Sequence, residues 1–192
     1  MPMIKQILLV LSIILSLPLM AQVKYEKEIR VSDKDVPKEA LGLVEQLMPG
    51  QKVKWYKEFG KDKTSFEAKT KKDGKAYSIE FSEQGGFEDL EERVRFEALP
   101  ETVKTAIRLV LDDTFAKYSI EKVQIQYSGS ADELTLHFLQ GTKSGSLVVR
   151  YEVIVAAKED GQFNEFEWLF DAAGSILHRQ IIMPKDTQNL EY

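Results

Sequence analysis

Few residues in this chain have types and spacing suited to chemistry. There are two imidazoles, His137 and His178, and no cysteine. Nucleophilic catalysis needs a Ser, Cys or Thr with a base in reach. His137 reads as a strand residue sharing a face with Thr135 and Leu139, opposite Leu136 and Phe138, and His178 follows a turn at Gly174. Both read as sheet-surface residues. A zinc site needs three or four ligands at suitable spacing, and two histidines about forty residues apart without cysteine do not supply one.

Carboxylate pairs stand at Asp112-Asp113, Glu91-Glu92 and Glu165/Glu167. A glycosidase-type pair must face itself across a cleft. Neighbours on a strand point to opposite faces, so Glu91 and Glu92 fail that test. Glu165 and Glu167 share a face but read as a solvated one beside Phe166, Trp168 and Phe170. Asp33/Asp35 and Asp112/Asp113 are weak calcium contacts at best. No P-loop, dinucleotide fingerprint or calcium loop occurs. The expectation is therefore a non-enzymatic protein with no cofactor and no metal.

The remaining candidates are aromatic and apolar. Alternation with Val53 and Phe59 turns Trp55 inward and Tyr56 outward. A sheet covered by a helix on one face leaves the other free, and exposed aromatics there suit protein recognition. The partner-binding candidates on that open face are Tyr56, His137, Leu139 and Leu169. The alternative is that two halves of the molecule pack together and bury them.

These residues must be positioned by the rest of the 192-residue chain. Met1–Lys5 carries one positive charge, Ile7–Met20 is almost wholly apolar, and Ala21 precedes Gln22. That is the layout of a secretory signal peptide. Its apolar run falls short of the ~20 residues that span a bilayer, so cleavage is expected rather than a retained anchor. The chain is then periplasmic or secreted, with no stable membrane insertion once the signal is removed. A net charge of −5 argues against nucleic acid or anionic lipid as a partner. The Lys-rich run Lys69–Lys75 reads as a solvated hairpin tip.

Val36-Pro37 leads into Ala40, Leu41, Val44, Leu47 and Met48, the spacing of one apolar helix face; Asp35 is placed to cap it. Strands follow around Val53–Phe59, Phe66–Ala68 and Tyr77–Phe81, with an Asp73-Gly74 hairpin turn and a turn at Gly85-Gly86 into Phe87–Val94. The order then repeats. Leu99-Pro100 opens a helix with Val103, Ala106, Ile107, Val110 and Leu111. Strands follow at Val123–Tyr127, at Leu134, Leu136 and Phe138, and at Leu147–Ala157, with a turn at Asp160-Gly161. Phe166, Trp168 and Phe170 alternate next, and Ile176–Ile182 follows Gly174. The helix openings lie 63 positions apart (Pro37 to Pro100) and the closing turns 89 apart (Gly85 to Gly174). The second half is therefore longer by 26; some of that lies in its longer helix, and the rest suits an added hairpin around Gln124–Leu139.

The expected fold is α+β, with two tandem helix-plus-antiparallel-sheet modules, each sheet covered by a helix on one face. The expected boundaries are a signal peptide over 1–21, a lead-in strand or linker over 22–35, modules over 36–96 and 97–183, and a flexible tail over 184–192. The stretch Leu99, Pro100, Val103, Lys104, Ala106, Ile107, its counterpart Val36, Pro37, Ala40, Leu41, and the closing Phe170–Leu177 resemble the PepSY-like family. That family is described as similar to β-lactamase inhibitor proteins, and its members are exported and often carry two tandem copies. The resemblance covers about Val36–Ile182 and rests on hydrophobic and turn positions. It implies a binding module that recognises or inhibits another exported protein through an open sheet face. A periplasmic small-molecule or lipid carrier is the alternative, and it requires a cavity of ~300 Å³ or more between sheet and helix.

Overall fold

The computed structural model describes residues 22–24, 27–60, 63–141, 146–159 and 161–182. The expected leader and tail, and Asp160 of the expected turn, lie outside them.

Alternation along the strands dictates the architecture. In Thr64–Lys72, Phe66, Ala68 and Thr70 are buried on one side, while Glu67, Lys69 and Lys71 stand on the other. The strands are β1 (Gln22–Lys24), β2 (Lys27–Val31), β3 (Lys54–Phe59), β4 (Thr64–Lys72), β5 (Lys75–Ser82), β6 (Phe87–Val94), β7 (Tyr118–Ser128), β8 (Val148–Glu159), β9 (Gln162–Asp171) and β10 (Ile176–Ile182). They form one sheet in the order β1-β10-β9-β8-β7-β6-β5-β4-β3-β2. Strands β2 to β10 pair antiparallel in chain order, and β1 adds in parallel against β10.

This corrects the expectation of two tandem modules with separate sheets. The two halves share a single sheet because β6 and β7 pair antiparallel, from Asp89↔Ser128 to Val94↔Val123. Separate sheets would leave both strands as open edges with unpaired backbone groups.

Three helices, α1 (Lys38–Leu47), α2 (Glu101–Thr114) and α3 (Ala131–Gln140), cover one face. Under α1, a core of Val44, Leu47, Trp55, Phe66, Ile79, Phe81 and Leu90 also takes Leu134 of α3. Under α2, Val103, Ile107 and Leu111 pack on Val153, Val155, Phe166, Trp168 and Phe170. Two turns tie the sheet to these helices. Gly85 and Gly174 each have φ of +88°, and a Cβ there would lie 2.5 Å from Cβ of Pro37 and of Ala106 respectively. Only glycine suits that backbone and that approach.

Two local expectations fail. Leu134, Leu136 and Phe138 belong to α3, not to a strand, so the extra length of the second half is a helix rather than a hairpin. Ser130 caps α3 in a reciprocal capping box with Glu133, and Gly141 ends it in the left-handed region. Asp35 does not cap α1. It closes a 3-10 turn capped by Ser32, and Pro37 itself stands at the head of α1 without a side-chain cap.

Candidate binding face

The face opposite the helices is uncovered, and strand register assembles its side chains into rows. Tyr56, Glu67, Glu80, Asp89 and Ser128 stand side by side on β3 to β7. The next row holds Lys54, Lys69, Ser78, Glu91, Gln126 and Arg150. Further along, Gln124, Glu152, Leu169 and His178 align on β7 to β10, followed by Lys122, Ile154, Glu167 and Gln180.

A groove of about 230 Å³ crosses this face, lined by residues from Glu28 on β2 to Ile182 on β10. Its walls carry eight carboxylates, namely Glu28, Glu58, Glu67, Glu80, Asp89, Glu91, Glu152 and Glu167, against two lysines, Lys69 and Lys122. Like charges on adjacent strands repel, so the groove is held by internal partners. Lys69 Nζ lies 2.5 Å from Glu28 and 2.8 Å from Glu67. Lys122 reaches Glu152 at 3.3 Å. Lys63 bridges Glu80 at 3.1 Å and also pairs with Glu88. Gln124 Nε2 donates to Glu91 at 2.7 Å, and Gln180 Nε2 donates to Glu167 at 2.6 Å. The Ser78 hydroxyl donates to Glu67.

The field of this face is visible in its titrations. Burial, reinforced by Glu80, Glu152 and Glu88, pushes the Asp89 carboxyl up to about 7. Burial by itself would lower the Lys69 ammonium, but Glu67 and Glu28 outweigh it and hold Lys69 above its ordinary value.

One oxygen from each of Glu28, Glu58 and Glu67 falls within 4.8 Å of the others. Three oxygens are short of the six to eight a calcium ion takes, and Lys69 already engages two of the three groups. The arrangement suits a cationic side chain better than a bare ion.

The structure divides the four residues named from sequence. Tyr56 and Leu169 lie on the open face, Tyr56 beneath the Lys69 ammonium at 4.8 Å and Leu169 between Glu152 and His178. His137 and Leu139 sit on α3, on the helix side. The His137 ring lies 5.3 Å from Tyr127, and Leu139 is 47% exposed. The four therefore do not form one surface. Sequence reasoning weighed Glu91 and Glu167 only as catalytic pairs and passed over Glu67, Glu80, Asp89 and Glu152. Their signal was available, because each sits next to a core residue, as in Phe66-Glu67-Ala68, Ile79-Glu80-Phe81 and Tyr151-Glu152-Val153.

Fold and face together define a class: one antiparallel sheet backed by helices on one side, with a charged, unroofed surface on the other. No family model and no curated protein matches the sequence. Several solved structures from Bacteroides are similar to this chain. A DUF2874 family protein from Bacteroides uniformis aligns at TM-score 0.51 and 13% identity over 76% of this chain and 89% of that one. A protein described as a "putative periplasmic" protein from Bacteroides eggerthii aligns at TM-score 0.51 and 14% identity over 76% and 88%. A BLIP-like protein from Bacteroides fragilis aligns at TM-score 0.48 and 16% identity over 79% and 90%. The first two likenesses establish a shared fold; neither a PepSY assignment nor a tandem duplication follows from any of the three. Among the described residues no helix is long and apolar enough to cross a membrane.

Proposed function

We propose that this chain is a non-enzymatic, exported binding protein that takes a cationic segment of another exported protein on the open face of its sheet. The observation that carries this reading is the groove itself. Eight carboxylates face two lysines there, and both lysines are already ion-paired. Charge complementarity of this kind confers specificity and speeds encounter. Recognition and inhibition would both run through this surface. Work outside the cytoplasm is supported by the leader pattern at Met1–Ala21 and by the printed description of the Bacteroides eggerthii structure. The carrier reading is weaker, because Trp55 and Phe66 pack with Val44 and Leu47, and Trp168 and Phe170 with Leu111, in the space the cavity would need.

The test is affinity capture from the exported fraction of the host, using chain 22–192 as bait beside its Glu58→Gln/Glu80→Gln/Glu91→Gln variant. A basic protein held by the first and lost from the second supports the proposal. Equal retention by both, or an acidic partner, overturns it. Native mass spectrometry showing a bound small molecule would favour the carrier.

A further inference from the structure

The same open face has a second electrostatic region, of opposite sign. At one end of β3 to β7 a cleft of about 710 Å³ is lined by Lys52, Lys54, Lys71 and Arg93, with Tyr56 and Ala76 among its other walls. We infer that this cleft is a binding site for a small multivalent anion bearing phosphate or carboxylate groups.

Three observations support the inference. The first is charge without compensation. Lys69 and Lys122, which reach the cleft from its border with the acidic groove, each have a carboxylate partner, as do Lys63 and Lys75 elsewhere on the sheet. Lys52, Lys54, Lys71 and Arg93 make no ion pair among the described residues. Four unpaired cations around one opening are notable on a chain with a net charge of −5. They raise the local potential without being neutralised from within, which favours and concentrates an anion.

The second is room. The volume falls within the range of small-ligand sites, ~300–1,000 Å³. On the open face of β5 the floor is made by Ala76, paired across from Lys71, and by Ser78, paired across from Lys69. Short side chains between long cationic ones leave a basin rather than a ridge.

The third is organisation. Strand register holds the spacing of three of the four cations. Lys54 stands opposite Lys69 on β4, Lys71 opposite Ala76 on β5, and Arg93 opposite Gln124 on β7. The cations therefore project from the rigid sheet, and only Lys52 comes from the segment leading into β3. The guanidinium of Arg93 offers a planar fork matched to phosphate or carboxylate, and the lysines act as point charges.

This site shares Lys69, Ser78 and Lys122 with the acidic groove but none of its carboxylates, and none of Lys52, Lys54, Lys71 and Arg93 lines the groove, so different variants test the two. Isothermal titration of chain 22–192 at low salt would use two probes, inorganic pyrophosphate and citrate. The expected result is binding at a Kd of ~1 mM or tighter, weakened at least tenfold in Lys54→Gln/Lys71→Gln/Arg93→Gln. These three side chains are exposed, so the fold is spared, which circular dichroism checks. The Ala76→Leu variant should weaken binding by filling the basin without changing charge. Pyrophosphate alone binding would assign phosphate chemistry, citrate alone would assign carboxylate chemistry, and both would assign multivalent anions in general. In Glu58→Gln/Glu80→Gln/Glu91→Gln, which disables the proposed protein-docking groove, anion binding should persist or strengthen. No binding of either probe to the wild type, or equal binding to the triple cation variant, overturns the inference.

Discussion

The two faces of this sheet are built from the same strands and obey different rules. On the helix side, β5 contributes Tyr77, Ile79 and Phe81; on the open side it contributes Ala76, Ser78 and Glu80. The first set lies in or against the core under α1 and α3 and serves stability. The second places Glu80 between Glu67 and Asp89 on neighbouring strands. A fold selected for stability alone gains nothing from aligned like charges. The open face carries them nonetheless, with Lys63 and Lys69 as internal compensation, and it is on this contrast that the proposed recognition surface rests.

The comparison is most sharply tested by truncating the covered face. Phe81 is fully buried and its ring lies 5.8 Å from that of Trp55. Phe81→Ala should cost ~3–5 kcal/mol, measured by urea unfolding, whereas Glu58→Gln on the open face should change stability by less than ~1 kcal/mol.

Asp89 gives the next largest effect and the opposite sign. Its folded-state pKa lies near 7, above its ordinary value of 3.8. The folded protein therefore holds the proton more tightly than the unfolded chain. The stabilisation is fully present below about pH 4 and is lost as pH rises toward 7. Over that window the loss is at most ~4 kcal/mol. Asp89→Asn should remove the dependence and be more stable than wild type at pH 8. If docking of a cation needs the Asp89 carboxylate, partner affinity should rise between pH 6 and pH 8 in the wild type and stay flat in the variant.

The turns and caps come next. Gly174→Ala sets a methyl 2.5 Å from the Ala106 Cβ at a left-handed φ, and should cost ~1–3 kcal/mol. Ser130→Ala removes the cap of α3 and should cost ~1 kcal/mol. Neither should alter binding at the open face, which binding assays on the same variants can check.

Much of the covered face was legible in the sequence. The period-2 runs at Tyr77–Phe81 and Phe166–Phe170, the 3.6-residue spacing from Ala40 to Leu47, and the turn at Asp73-Gly74 all appear where the pattern places them. These signals are local. What failed depended on non-local pairing or on ambiguous local pattern. Nothing in β6 or β7 taken singly declares that they pair with each other, so one sheet reads as two. Leu134, Leu136 and Phe138 alternate like a strand, and the capping-box residues Ser130 and Glu133 were the overlooked arbiter. That misreading carried His137 and Leu139 to the wrong side. The outward position of each groove carboxylate was legible from its core neighbours, but their assembly was not, since Glu67, Glu80 and Asp89 meet only through cross-strand register.

The most direct test of the central claim separates the position of charge from its amount. Two variants are made with equal net charge: Glu58→Gln/Glu80→Gln/Glu91→Gln on the open face, and Glu39→Gln/Glu45→Gln/Asp113→Asn on the exposed surface of α1 and α2. Each is titrated by fluorescence anisotropy with a labelled decalysine peptide at two salt concentrations. The account predicts that the open-face variant loses at least tenfold in affinity while the helix-face variant binds as wild type. Equal weakening in both would mean that bulk charge, not the groove, attracts cations, and would contradict the account.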